Sequence, residues 1–388
     1  MANIIDYIKW RGDISFQVSP FNPVDNLLLS ELSYMAFNGL IDRHGDMPID
    51  LLCEKYFEAT DKTTLGLLLT GEFDTMFKSM AASSRFSNIN VRESVSVYDK
   101  SLEVQFAVTL FELDRNTCYI GFRGTDDTII GWKEDFNMSF MDEIPAQRLA
   151  LDYLNKVDEK YKYRNIYIGG HSKGGNLAVY SAVHAKTLIK DKILKVYNND
   201  GPGFKQGLIK TKAYKSISDR IITLIPQSSV VGLLLEHEES YYVVKSNQKG
   251  LMQHDGFSWQ VEGKDFIYLS GIQDDSIAID MTIKQLLNEL SMEQRASYTN
   301  TLFELIAVGE EETLAELGKG GLKTFLAMSK NYANLDKETK KVISKTMTYF
   351  IDRSFRNYLE VKNVDQWREK IRTHRQNLFS RQIQKDSD

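Results

Sequence analysis

Ile166-Tyr167-Ile168-Gly169-Gly170-His171-Ser172-Lys173-Gly174-Gly175-Asn176-Leu177-Ala178 carries the strongest fold signal in this chain. It holds Gly170, Ser172 and Gly174 as a G-x-S-x-G set, between a run rich in β-branched and aromatic residues (165–168) and one rich in helix formers (176–185). A serine at such a junction sits on a turn so tight that a side chain two positions before or after it would meet neighbouring backbone, so glycine is required there. The turn lifts the hydroxyl above the sheet edge and aims the amide of Lys173 at the same point in space, as half of an oxyanion hole. Ser172 is therefore the candidate nucleophile. The bland alternative is a Gly-rich strand-to-helix turn whose serine is incidental.

The flanking segments extend this pattern. Val95, Val97, Leu102, Val104, Phe106, Val108 and Leu110 alternate as strand residues do. A further strand over 116–122 runs into Arg123-Gly124-Thr125-Asp126-Asp127, and 144–161 reads as a helix with Leu151, Leu154, Val157 and Tyr161 on one face. After the elbow, a strand over 193–199 runs into Asp200-Gly201-Pro202-Gly203-Phe204, one over 220–225 into Pro226-Gln227-Ser228-Ser229, and 241–245 is the last of the series. Strands alternating with helices predict an α/β fold: a mostly parallel central sheet flanked by helices, with its site at the strands' carboxyl edge.

At the ends the pattern is helical. Residues 25–38 read as one helix behind an N-terminal arm. Within 48–84, Leu65, Leu69, Phe73, Met76, Phe77 and Met80 recur at helical spacing, which marks a core-facing helix or, in the sharper reading, a mobile cap over a pocket. Ile283, Leu286, Leu287 and Leu290, then Ile343, Met347, Phe350 and Ile351, recur likewise. The expected division is an α/β domain over 1–279 and a helical C-terminal region over 280–388, a surface for a protein partner or self-association, with a frayed polar end.

Composition narrows the function classes. With 42% hydrophobic and 26% charged residues in 388, neither disorder nor a disulfide scaffold is suggested. A net charge of -5 gives no reason to expect nucleic acid or anionic lipid. Charges interrupt the first residues, so no signal peptide is expected, and no apolar run approaches the roughly 20 residues of a spanning helix. Cys53 and Cys118 lie far apart without a metal or redox pattern, which fits a reducing, cytoplasmic location. No metal or organic cofactor is implied.

A serine hydroxyl needs a base, and His254 is the choice. It lies in the polar loop after the last strand, keeping the chain order Ser then His. His237 is the runner-up. His171 would have to fold back on itself, His184 should be buried or at a helix contact, and His44 and His374 lack other site signals. The histidine needs a carboxylate to orient it. Asp200 follows a strand between Ser172 and His254; the next loop, where such an acid most often sits, holds no carboxylate until Glu236. Asp200 is favoured, against the alternative of a turn aspartate capping the Gly201-Pro202-Gly203 bend. Thr125 or Asp126 should face the amide of Lys173 as the second oxyanion donor, with Thr125 able to add its hydroxyl. Trp132 and Asp135 read as a buried brace for that loop, and the Lys173 side chain as exposed to the same cleft.

Phe122-Arg123-Gly124-Thr125, Trp132, Asp135 and Gly170-His171-Ser172-Lys173-Gly174-Gly175 resemble the class 3 (fungal-type) lipases of the α/β-hydrolase fold. With Asn199-Asp200-Gly201-Pro202-Gly203-Phe204 and the stretch 254–259 added, the chain is similar to a bacterial branch of that superfamily, the Mbeg-like proteins. The resemblance covers about 20–275 and implies an α/β-hydrolase core, a nucleophile at Ser172, a histidine at His254 and an oxyanion contribution at Thr125. It departs where the lipases place their acid and this chain has Gln227, Ser228 and Ser229: either the acid has moved to Asp200 or the triad is incomplete. The expected function is hydrolysis of an acyl or lipid-like ester through an acyl-enzyme. The alternatives are a catalytically inactive fold kept as a binding or scaffold module, and amide or thioester hydrolysis by the same residues.

Overall fold

Cys118, Ile120 and Phe122 join one buried apolar cluster and Tyr119, between them in sequence, joins another. Side chains on a strand alternate between faces, so two clusters mean a sheet covered on both sides. The computed structural model describes residues 2–35, 37, 39–41, 47–59, 72–126 and 128–306, together with 332, 335, 337, 340 and 344.

The strands are β1 (Met47–Pro48), β2 (Asn90–Asp99), β3 (Val104–Asp114), β4 (Thr117–Phe122), β5 (Asn165–His171), β6 (Ile193–Asn199), β7 (Ile221–Pro226), β8 (Tyr241–Val244), β9 (Val261–Glu262), β10 (Asp265–Phe266) and β11 (Tyr268–Leu269). The large sheet runs β1-β2-β3-β4-β5-β6-β7-β8-β11, while β9 and β10 pair separately. Pairing is antiparallel from β1 to β4, parallel from β4 to β8, and antiparallel again at β11. β11 extends the sheet beyond the strand expected to be last. Leu102, read as a strand residue, lies in the β2–β3 turn and is exposed, because Asp99 caps that turn through the N–H groups of Ser101 and Leu102.

Among the described residues four helices precede β2: α1 (Ile4–Arg11), α2 (Pro23–Leu32), α3 (Ile49–Glu58) and α4 (Phe73–Ala81). Phe73, Met76, Phe77 and Met80 of α4 are buried in the cluster that includes Tyr119, so this segment faces the core, while Leu65 and Leu69 lie outside the described residues. α2 starts with Asn22 as N-cap and Pro23 in its first turn, a combination that suits a helix start. Val24 to Leu32 are all buried, the polar Asp25, Asn26, Ser30 and Glu31 included. Asp25 is paired with Arg85 at 2.6 Å.

α5 (Ile129–Asn137) and α6 (Pro145–Tyr161) separate β4 from β5, and α7 (Lys173–His184) and α8 (Thr187–Lys190) separate β5 from β6. α9 (Gln206–Ile209) and α10 (Lys212–Lys215) lead to β7. Leu154 and Val157 of α6 and Leu177, Ala178 and Val179 of α7 fill the second cluster against β3, β4 and β5. After β11 come α11 (Asp274–Glu289) and α12 (Met292–Ile306). Phe303 meets Phe136 of α5 with ring centroids 5.5 Å apart, and Arg295 donates to the carbonyl of Ser139 at 2.6 Å. The pattern at 343–351 lies outside the described residues. The whole is the α/β-hydrolase arrangement with a C-terminal helical extension. Among the described residues no helix is long and apolar enough to cross a membrane.

Candidate active site

β5 ends at His171 and α7 begins at Lys173, leaving Ser172 alone between them at φ 58° and ψ -133°. A non-glycine residue at positive φ is strained, and such strain persists only where surrounding contacts enforce it. A Cβ on Gly170 would lie 2.3 Å from the Gly174 backbone, and one on Gly174 would lie 2.1 Å from the Phe122 carbonyl oxygen. Both glycines are thus demanded by close approach. The Ser172 N–H donates to the Asn199 carbonyl at 2.9 Å, and the Asn199 side-chain amide donates to the Gly170 carbonyl at 3.0 Å. Asn26 of α2 donates to Asn199 Oδ1 at 2.9 Å. The buried polar face of α2 therefore reaches the elbow through β6.

Asp200 follows β6 and His254 ends a short 3-10 turn after β8. Asp200 Oδ2 accepts from His254 Nδ1 at 2.7 Å, and both residues are buried. Its Oδ1 accepts from the Ser229 hydroxyl and, at 3.1 Å, from the Gly232 N–H. The carboxylate thus faces the histidine loop, not the Gly201-Pro202-Gly203 bend, where Asn198 Oδ1 accepts the Gly201 N–H instead. Glu236 points toward Lys284 Nζ, 3.8 Å away. The loop lacking an acid supplies a hydroxyl instead, that of Ser229, which no local sequence signal marks.

Ser172 shares this rim: its neighbour His171 lies with its ring centroid 4.5 Å from that of His254. Among the described residues the Ser172 hydroxyl and the His254 ring are not joined by a hydrogen bond; the ring's bond is to Asp200. Such bonds are often loose without substrate and tighten when it binds.

The Lys173 side chain does not enter the cleft. It is 1% exposed, and its Nζ donates to Gln105 Oε1 at 2.7 Å, the Gln105 carbonyl at 2.9 Å and Glu134 Oε2 at 2.9 Å. Glu134 is itself buried and accepts main-chain N–H groups of Gln105 and Ala146. An ammonium among three acceptors satisfies the requirement that a buried charge be paired. At the start of α7 the Gly175 N–H donates to the Ser172 carbonyl at 2.9 Å, and the N–H groups of this first turn carry the positive end of the helix dipole.

Thr125 follows β4, and its hydroxyl donates to Asp135 Oδ2 on α5, a helix the sequence pattern did not reveal. Burial lifts the Asp135 carboxyl to about 6, against the pull of Lys173. Asp135 so braces the Thr125 loop, as expected of it.

The remaining histidines are elsewhere. His237 Nε2 donates to the Gly232 carbonyl at 2.8 Å and its Nδ1 is 3.2 Å from Glu239 Oε1, so it shores up the loop that holds Asp200. His184 is exposed at the end of α7, not buried, its ring tilted against that of Tyr180 with centroids 4.3 Å apart. His44 and His374 lie outside the described residues. No three His, Cys, Asp or Glu side chains among the described residues are placed to hold a metal ion. Cys53 and Cys118 are both free and buried.

Residues 80–304 match the model of a protein family described as Mbeg1-like. No curated protein sequence matches the chain. Among solved structures it is similar to the native Rhizomucor miehei lipase–propeptide complex, at 16% identity and a TM-score of 0.31 over 41% of this chain and 57% of that one. It is also similar to a triacylglycerol lipase from Penicillium expansum, at 13% identity and 0.29 over 45% and 75%. A mutant form of MDLA from Penicillium cyclopium matches at 12% identity and 0.36 over 63% and 83%. The chain thus spans little more than half of the first of these three and more of the others.

Proposed function

This chain belongs to the Mbeg1-like family, and on that premise we propose that it is a serine hydrolase cleaving an acyl or lipid-like carboxylic ester through an acyl-enzyme. The observation that carries the proposal is the 2.7 Å bond from His254 Nδ1 to Asp200, beside a serine held at φ 58°. A hydrogen on Nδ1 leaves Nε2 with its lone pair free, the tautomer a general base requires.

In this mechanism Ser172 Oγ attacks the ester carbonyl carbon while His254 Nε2 takes the hydroxyl proton. Asp200 stabilises the imidazolium, and its three donors fix the direction of the carboxylate. The carbonyl oxygen, now negative, is received by the main-chain N–H groups of Lys173 and Thr125. The Thr125 hydroxyl, engaged with Asp135, anchors its loop. Collapse of the tetrahedral species expels the alcohol, which takes the proton from His254, and water then repeats the sequence to release the acid. The protein acts in the reducing cytoplasm, where Cys53 and Cys118 stay thiols, and needs no cofactor.

One observation favours a second reading, a hydrolase fold kept as a binding module: the Ser172 hydroxyl is not bonded to the His254 ring. A fluorophosphonate probe separates the two. Labelling that disappears in Ser172→Ala and weakens in His254→Ala is the outcome expected of the enzyme; a folded protein that takes no label belongs to the second reading.

A further inference from the structure

His171 is fully buried, directly before the nucleophile, and plays no part in the proton relay proposed above. Its Nε2 lies 2.7 Å from the main-chain carbonyl oxygen of His254, across 83 residues of sequence. A carbonyl only accepts, so Nε2 carries the hydrogen. Nδ1 is then the acceptor, and the Tyr34 hydroxyl is placed to donate to it from 3.1 Å. Glu31 Oε1 approaches the same nitrogen only to 3.7 Å, too far for a hydrogen bond. Burial, reinforced by the neighbouring His254, holds His171 well below the ordinary histidine range, so the ring stays neutral.

The neighbours of His254 are tied differently. The Gln253 carbonyl accepts from Trp259 Nε1 at 2.9 Å and that of Asp255 from the Ser258 hydroxyl at 2.7 Å, both within the histidine loop. The carbonyl of His254 is instead held by the residue adjoining Ser172. The path from hydroxyl to imidazole thus runs through one peptide unit and one hydrogen bond, with the two histidine rings alongside, tilted by 36° at a centroid separation of 4.5 Å.

We propose that His171 is a positioning residue: by donating from Nε2 to the His254 carbonyl it sets the reach of the His254 ring to Ser172. The inference rests on the hydrolase reading and deepens it, assigning to the residue before the nucleophile the alignment of the base.

Two amides of different reach test it. In His171→Gln the side-chain N–H₂ falls near the position of Nε2 and can still meet the carbonyl; in His171→Asn it falls near Nδ1 and cannot. The second-order rate of fluorophosphonate labelling, and kcat and KM on a p-nitrophenyl acyl ester, are measured for both variants with thermal unfolding as the check on folding. The expectation is a roughly tenfold fall in labelling rate and kcat for Asn, the size of one lost buried hydrogen bond, with KM within about twofold, and a fall within about threefold for Gln. A folded Asn variant at the wild-type rate overturns the proposal, as does a Gln variant that falls as far as Asn. If Asn does not fold, Gln decides alone, retention within threefold upholding the proposal and any larger fall overturning it. Wild-type protein that takes no label ends the hydrolase reading and this inference with it, an outcome distinct from a reactive wild type with indifferent variants.

Discussion

Asp200 Oδ2 lies 2.7 Å from Nδ1 of His254, although 54 residues separate them and the acid comes from the end of β6, not from the loop after β7. The loop after β7 contributes instead the Ser229 hydroxyl and the Gly232 N–H, which hold the other carboxylate oxygen. His237 in turn holds the Gly232 carbonyl. A carboxylate with three donors cannot swing away from the imidazole without abandoning all of them.

Asp200→Asn should cut kcat on an ester substrate by about 10³- to 10⁴-fold while thermal unfolding stays close to wild type, because an amide facing Nδ1 favours the wrong tautomer. Glu236→Gln should leave kcat within about twofold, its carboxylate being directed at Lys284. Near-normal turnover in the Asp200 variant would remove that residue from the mechanism.

Lys173→Met should destabilise the protein by about 3–5 kcal/mol, since it strands the buried Glu134 carboxylate. Adding Glu134→Gln should recover part of that loss. Urea unfolding of both single variants and the double variant gives the coupling; simple additivity would mean that the two charges do not interact.

Glu31 should make stability depend on pH. Both its oxygens are buried without a hydrogen-bond partner, and burial, with the Asp255 charge nearby, pushes its carboxyl well above the ordinary value of 4.5. The folded protein keeps a proton that the unfolded chain releases above 4.5, so stability falls as pH rises from there toward the folded value. Glu31→Gln removes that slope. Its advantage over wild type in urea unfolding should grow from pH 5 to pH 8, by up to about 1.4 kcal/mol per pH unit inside the window. A constant gap would show that Glu31 ionises in the fold as it does outside it.

Gly174→Ala should lose fluorophosphonate labelling and about 1–3 kcal/mol of stability, because the new methyl group would stand 2.1 Å from the Phe122 carbonyl oxygen. Retained labelling at the wild-type rate would mean that the elbow can open without moving Ser172.

Much of the sheet was legible in the residues. The strand expected over 193–199 is β6 itself, and those over 116–122, 220–225 and 241–245 match β4, β7 and β8 to within a residue at either end. Apolar alternation bounded by polar loops survives in these central strands because both faces are covered and every slip would expose core. In the sequence α2 is legible only as a helix, without its depth. A helix whose Asp25, Asn26, Ser30 and Glu31 are as buried as its leucines carries no amphipathic stripe to reveal which side faces inward. α5 is illegible for a related reason: its Glu134 and Asp135 are held by Lys173, Gln105 and Thr125, which lie elsewhere in the chain.

By itself the sequence determined the strand-to-helix turn around Ser172, because steric exclusion at Gly170 and Gly174 acts between near neighbours and leaves its mark in residue type. It also determined the alternation of strands and helices that gathers the loop ends along one edge. The direction of each polar side chain once there comes from long-range packing: Lys173 turns inward to Glu134, Asp200 across to His254, and His171 to the His254 carbonyl. Those choices are settled by desolvation, which forces every buried charge and donor to find a partner. The partners stand 39, 54 and 83 residues away, a distance over which no local pattern reports.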